Sequence, residues 1–156
     1  MDNSLGLVGV ESFSVAEWHI VFRTETRVPW LKWRAWGRFK HVLCFGYVPV
    51  ADCWVFFDPG DSKSDLLIVP TSMVDPILQA VASDDAVLKV RPQECRRRSR
   101  MWVSCVQMVA HLCGVPSCAL RPDTFWRHCV ENGAEVITDV RPVWNQGRSE
   151  EGEQSA

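Results

Sequence analysis

The sequence lacks an excess of charge of either sign and lacks a long apolar run. Seventeen Lys and Arg residues stand against nineteen Asp and Glu, and the formal net charge is −2. A chain without bulk basicity gives no electrostatic indication of nucleic-acid binding. No apolar run approaches the roughly 18 residues that a membrane-spanning helix needs. The first residues have neither the basic region nor the apolar core of a secretory signal, so we expect a cytoplasmic protein.

Tyrosine is nearly absent, with one residue, whereas tryptophan occurs eight times and cysteine seven times. An odd number of cysteines without a secretory signal indicates reduced thiols rather than a disulfide framework. The 156 residues, 47% hydrophobic and 23% charged, suit one globular domain. We expect a loose N-terminal arm over residues 1–15, a single domain over 16–143 and a disordered acidic tail over 144–156.

Hydrophobic periodicity predicts an α+β fold. Alternating or aromatic-rich segments indicate strands, and apolar residues at helical spacing indicate helices. The predicted strands cover residues 17–23, 39–48, 53–58, 65–69, 86–91 and 135–140, and the predicted helices cover 71–83, 104–113 and 122–132. Gly114 and Gly133 are the expected stops of the last two helices.

Cys105 lies where the second helix is predicted to begin. The free N–H groups and the dipole at a helix N-terminus favour a thiolate, so this position suits a nucleophile. The residues of the predicted buried face are Cys105, Met108, Val109 and Leu112, and those of a polar stripe beside it are Ser104, Gln107 and His111. The alternative interpretation is a small buried hydrophobic residue, which is the commonest role of a free cysteine.

His41 and Asp58 are the candidate partners of this thiol. His41 alternates with apolar residues on the 39–48 strand, where it is either a core residue or a base. If the turn between the two strands has an even number of residues, two or four, the hairpin register places Asp58 directly opposite or diagonal to His41. Both registers put the two side chains on the same face of the sheet. The carboxylate can then orient the imidazole, although Asp58 also suits a simple turn before Pro59 and Gly60.

The three residues together resemble the circularly permuted papain-like hydrolases. That group includes permuted bacterial cell-wall cysteine peptidases and lecithin:retinol acyltransferase-like proteins, in which a His on a long strand precedes a Cys that opens a helix. The segment from His41 to Glu135 is also similar to small uncharacterised phage and proteobacterial proteins. The motifs that carry the resemblance are KHVLCFGY, WVFFDPG, SCVQMVAHLCGV and RPDTFWRHCVENGAEVI.

The resemblance implies an α+β papain-like domain, with an antiparallel sheet packed on a central helix that starts at the cysteine. It implies cofactor-free acyl transfer in a phage or bacterial setting, in the host cytosol or the virion. Cys105 would be the nucleophile, His41 the acid and base, and Asp58 the orienting group. Two departures stand out: Ser104 replaces the Asn of the acyltransferase-like proteins, and Asp58 replaces their second His. The substrate, a peptide, amide or acyl compound, does not follow from the resemblance.

Tryptophans surround the proposed nucleophile and base in the sequence. Trp33 and Trp36 precede His41, and Trp102 precedes Cys105, so we expect them to line a substrate cleft. Basic residues interleave with the first two, and Arg96 to Arg100 adds a second basic run, which together favour an anionic substrate. A surface loop and a single-stranded nucleic-acid site are the alternatives for this pattern.

Two further alternatives compete with a cysteine hydrolase. The chain can be a catalytically inactive relative that acts as a phage structural or interaction protein, with virion components as partners. It can also hold zinc through Cys113, Cys118, His128 and Cys129, although no Cys-x-x-Cys motif supports that.

Overall fold

The computed structural model describes residues 14–25, 37–60, 63–82, 86–91 and 104–137. The strands in these ranges are β1 (Trp18–Arg23), β2 (His41–Val48), β3 (Cys53–Pro59), β4 (Ser64–Pro70), β5 (Ala86–Val90) and β6 (Glu135–Ile137). The helices are α1 (Asp75–Ala82), α2 (Cys105–Leu112) and α3 (Pro122–Glu131). Short 3₁₀ turns, Pro49–Ala51 and Thr71–Met73, precede β3 and α1.

The six strands form one antiparallel sheet in the order β4-β3-β2-β1-β5-β6. With the three helices, this makes a mixed α/β protein, in agreement with the predicted class. Within the described residues, no helix is both long and apolar enough to cross a membrane. Residues 1–13 of the predicted 1–15 arm, the predicted tail over 144–156, and Trp33, Trp36 and Trp102 lie outside the described residues.

The sheet buries apolar side chains on both faces. On the face that we call the helix-pair face, α2 and α3 cover alternate residues of the central strands; the buried sheet residues there include Ile20, Phe22, Val42, Cys44 and Leu88. On the opposite face, the α1 face, the buried residues include Val21, Leu43, Phe45, Trp54, Phe56, Leu78 and Val81. Each fully buried Phe or Leu contributes roughly 1.5–3 kcal/mol. The prediction placed only the cysteine helix on the sheet. In the structure, α1 forms a further layer on the opposite face.

The β2–β3 hairpin closes through a four-residue turn. Val48 pairs with Cys53, and the register continues to the pair of Cys44 with Phe57. Asp52 adopts the left-handed conformation at φ 43°, and its carboxylate accepts a hydrogen bond of 2.8 Å from the Tyr47 hydroxyl. Extended by one position, this register sets Asp58 diagonal to His41, which is one of the two predicted arrangements.

The predicted buried face of α2 is wrong in part. The helix buries Val106, Gln107, Val109 and Ala110, followed by Cys113, whereas Cys105 and Met108 are half-buried and Leu112 is exposed. The helix is thus rotated relative to the prediction. Its apolar stripe starts one residue later, and this rotation leaves the Cys105 side chain at the margin of the core, not inside it.

Candidate active site

The His41 ring and the Asp58 carboxylate form an ion-pair contact at one end of the sheet. The His41 Nε2 atom lies 2.5 Å from Asp58 Oδ1, and the two side chains are 16% and 36% exposed. The β2–β3 ladder has its last pair at Cys44 and Phe57. Both side chains therefore lie beyond that pair, at the end of the hairpin away from its turn.

Two acidic neighbours hold the His41 imidazole in its charged form. Burial by itself would lower the pKa of His41, because desolvation penalises a cation. Hydrogen bonds to Asp58 and to the Cys105 side chain, together with the electrostatic interactions of His41 with both groups, reverse that effect and raise the pKa of His41 to about 9. At neutral pH the ring is an imidazolium.

Cys105 is the first residue of α2. Ser104 caps the helix, since its Oγ atom accepts a hydrogen bond of 3.2 Å from the Gln107 N–H. The N–H groups of Cys105 and Val106 belong to the first helical turn and have no carbonyl partner within the helix. Among the described residues neither makes another backbone bond. Two donors thus lie beside the sulfur, where a negatively charged oxygen can be stabilised.

The flank of α2 that carries Cys105 faces the strands that carry the His41–Asp58 pair. On the opposite flank, Gln107 Nε2 donates a 2.6 Å hydrogen bond to the Ala119 carbonyl, in the segment that leads to α3. Cys105 therefore lies on the flank of α2 opposite Gln107, and α2 itself packs on β2 and β3. Because Nε2 of His41 is held by Asp58, Nδ1 is the nitrogen left to exchange a proton with the thiol.

Asp123, which the sequence analysis missed, positions the segment that enters β2. Its carboxylate accepts hydrogen bonds from the backbone N–H groups of Arg38, at 2.9 Å, and Phe39, at 3.4 Å. A side chain on Gly37 would place its Cβ atom 2.1 Å from Asp123 Oδ2, and Gly37 has a φ of 121°. In the sequence, Asp123 follows Pro122 at the start of α3. This pattern is ordinary at the start of a helix, so it did not single out Asp123 as a residue that contacts the segment before β2.

The other described cysteines have packing roles or lie on the surface. All six cysteines in the described ranges are free thiols. Burial raises the pKa of Cys129 to about 12, and it raises the pKa of Cys113, which lies against Cys44, well above its ordinary value. Cys118 is exposed. Buried thiols that stay protonated are poor nucleophiles. Cys105 differs from them in its position, since it is half-buried at the start of a helix.

The zinc interpretation gains no support from the described part of the chain. No three His, Cys, Asp or Glu side chains come together there in a way that could hold a metal ion. His128 instead has its Nδ1 atom 2.9 Å from the Ser117 hydroxyl.

A pocket of about 330 Å³ lies between β5, α3 and the Val115–Pro116 segment, and it includes neither Cys105 nor His41. We therefore place the candidate site at the Cys105–His41–Asp58 cluster, where the titratable groups interact.

No family model, curated protein or solved structure matches this chain. The geometry of the cluster is accordingly the main guide to function.

Proposed function

We propose that the protein is a cysteine-dependent hydrolase or acyltransferase, with Cys105 as nucleophile. The observation that carries this proposal is the contact of one imidazolium, His41, with both a carboxylate and a thiol at a helix start. A thiol, a base and an orienting acid form the arrangement that nucleophilic catalysis needs.

The chemistry proceeds through a thioester. Cys105 reacts as the thiolate: its sulfur attacks the substrate carbonyl carbon, and the carbonyl electron pair moves to the oxygen beside the Cys105 and Val106 N–H groups. The tetrahedral adduct collapses as the C–N or C–O bond breaks, and His41 gives its proton to the leaving group. Neutral His41 then takes a proton from water or an acceptor alcohol, which attacks the thioester and releases Cys105. Asp58 keeps Nε2 occupied throughout, so Nδ1 performs both transfers.

The order of these groups supports the permuted papain-like arrangement. His41 on β2 and Asp58 on β3 precede Cys105 on α2, and an antiparallel sheet lies beneath the helix. We keep the phage or bacterial setting as part of the proposal; the expected substrate contacts of Trp33, Trp36 and Trp102 stay predictions, because these residues lie outside the described ranges. The substrate class remains peptide, amide or acyl compound, with an anionic group favoured by the neighbouring basic runs.

Selective alkylation tests whether His41 activates the Cys105 thiol. At pH 6 an ordinary thiol of pKa about 8.5 is less than about 1% thiolate and reacts slowly, whereas a thiol activated by a neighbouring imidazolium at a helix start reacts faster. We expect iodoacetamide at pH 6 to label Cys105 at least about 10-fold faster than the exposed Cys118, measured by peptide mass spectrometry. His41→Ala should remove this advantage. His111→Ala, at an exposed position of the same helix, should keep it. Equal labelling of Cys105 and Cys118 would contradict the proposal.

Turnover separates an enzyme from an inactive relative with the same geometry. With p-nitrophenyl acetate, we expect an acyl-enzyme mass on Cys105 and steady release of p-nitrophenolate. Cys105→Ala should abolish both signals, and Cys118→Ala should leave them unchanged. Rapid alkylation without any acyl adduct, over a panel of activated esters and amides, would favour the inactive relative.

A further inference from the structure

Strand β4 forms one edge of the sheet and exposes apolar side chains on both faces. Leu66 and Ile68 are each 62% exposed, and Leu67 is 49% exposed. The outer side of an edge strand presents backbone N–H and C=O groups that can pair with another strand. Proteins commonly protect such edges with a charge in the middle of the strand, but β4 has three consecutive apolar residues there.

We propose that a second copy of this chain pairs with β4 in antiparallel fashion, about a two-fold axis at Leu67, and joins the two sheets into one. This inference is independent of the catalytic proposal, since none of its residues belongs to the Cys105 site. An interface of this kind is isologous, so the same strand supplies both sides.

The sequence of β4 is self-complementary in this register. Leu67 lies opposite Leu67 of the second copy, and Leu66 lies opposite Ile68 of the second copy, twice by symmetry. Directly opposed residues share a face, so Leu66 and Ile68 meet on the side where β3 presents Phe57 and Val55. The Leu67 pair meets on the other side, next to Phe56. Each exposed apolar side chain of β4 thus gains an apolar partner.

The charges of β4 do not oppose the pairing. Lys63 and Asp65 form an ion pair of 2.9 Å at the start of the strand, so these two charges offset each other. In the proposed register Asp65 lies opposite Val69 of the second copy. The two Asp65 residues are then four positions apart along the strand, about 13 Å at the usual rise. An exposed like-charge pair at that distance is largely screened at physiological salt.

The opposite edge of the sheet is a poorer interface. The described part of strand β6 is Glu135–Ile137. In this part the edge carries a charged side chain, that of Glu135. The β4 interface is itself small, with three apolar side chains and seven backbone residues per copy. Small interfaces are at the weak end of specific association, so we expect a dissociation constant of about micromolar order.

Sedimentation velocity between about 1 and 200 μM tests the dimer. We expect the wild-type chain to shift from monomer to dimer over this range and Leu67→Lys to stay monomeric at 200 μM with an unchanged circular dichroism spectrum. Val136→Lys is the matched control, because Val136 is 48% exposed on the other edge strand; it should dimerise like the wild type. A wild-type chain that stays monomeric at 200 μM would overturn the proposal. The edge of β4 would then be covered by a segment of the same chain or by a different partner. Loss of the dimer in Val136→Lys instead of Leu67→Lys would also overturn it.

Disulfide trapping tests the register in a Cys118→Ser background, which removes the exposed thiol. Leu67→Cys places the new thiols on the two-fold axis, so mild oxidation should give a covalent dimer. Leu66→Cys places them two positions apart, where the Cβ separation of about 7 Å exceeds the reach of a disulfide. A covalent dimer from Leu66→Cys but not from Leu67→Cys would overturn the register.

Discussion

At the scale of single residues, the charge of His41 depends on two neighbours that compensate for its burial. The pKa of His41 is raised to about 9, above the 6.5 of an unfolded chain. A group whose pKa is higher in the folded state stabilises the fold fully below pH 6.5, and this stabilisation is lost as the pH rises towards 9. Because Asp58 is partly exposed, the contribution is on the order of 1–3 kcal/mol.

Asp58→Asn should therefore lower the pKa of His41 and shift the alkaline limb of the Cys105 reaction to lower pH. The amide keeps a hydrogen bond but removes the negative charge. NMR titration of the His41 ring protons and the pH profile of ester hydrolysis measure the two effects. Asp52→Asn, in the turn of the same hairpin, is the control and should leave both unchanged. An unaltered His41 titration in Asp58→Asn would contradict the role given to the carboxylate.

His19, on β1, shows the opposite behaviour. Its ring is 3% exposed and stacks on Phe45 at 4.9 Å, and neither ring nitrogen bonds to a described residue. Burial lowers the pKa of His19 to about 4; the Lys89 cation also lowers it, and Glu17 opposes the shift. Since the unfolded chain binds this proton more readily, stability is complete above pH 6.5 and falls as the pH drops towards 4.

His19→Phe should remove this acid sensitivity. The shift corresponds to a loss of about 2 kcal/mol between pH 7 and pH 5 in the wild type. Phenylalanine keeps the stacking on Phe45 and leaves no buried nitrogen without a partner, so stability at pH 7 should be equal or higher. Urea unfolding at the two pH values measures the difference. The same loss of stability in both proteins would show that other groups cause it.

At the scale of secondary-structure elements, the start of α3 fixes the entry to β2. Asp123→Ala should lower the unfolding free energy by about 1–3 kcal/mol, because the Arg38 and Phe39 N–H groups lose a charged acceptor. It should also slow Cys105 alkylation, since His41 follows two residues later. Asp75→Ala, in the first turn of α1, is the comparison; it should change stability without changing the alkylation rate.

Gly37→Ala tests the same contact from the other side. The new Cβ atom would overlap the Asp123 carboxylate, and the φ of 121° is unfavourable for alanine. We expect a loss of at least about 1 kcal/mol in denaturant unfolding. A fully stable variant would contradict the close approach of Gly37 and Asp123.

The elements themselves were largely predictable, but their orientation was not. Aromatic and β-branched residues identified β2 and β3, because such residues suit a pleated, half-buried surface. The buried face of α2 was misjudged since Gln107 is polar and helical spacing allows two apolar stripes. Gln107 is buried because the Ala119 carbonyl satisfies its amide, and a contact with a loop residue is invisible to periodicity. The hairpin register that joins His41 to Asp58 followed from turn length, which is local information.

At the scale of the whole molecule, the sheet has two apolar faces, and the pattern of single strands did not reveal which helix covers which face. Alternation in β2 predicts two sets of side chains, but Leu43 and Phe45 pack with α1, whereas Val42 and Cys44 pack under α2. Helix order along the chain does not fix the layer, because every connection can pass to either side of a sheet. The predicted strand began at Phe39, but β2 begins at His41. Phe39 lies before the strand and packs on the helix-pair face against Trp126, so its position did not follow from the alternation.

The separation of the site between the β2–β3 hairpin and α2 has a consequence for biosynthesis. His41 and Asp58 meet within a local hairpin, which can form as soon as that part of the chain has left the ribosome. Cys105 reaches them only after α2 has docked on β2 and β3, with α3 holding the segment before β2 through Asp123. A nascent or truncated chain would thus carry the paired histidine but an ordinary, weakly reactive thiol. Under the proposed function, Cys105 would become a reactive nucleophile only after α2 and α3 have docked on the hairpin, late in the folding of the domain.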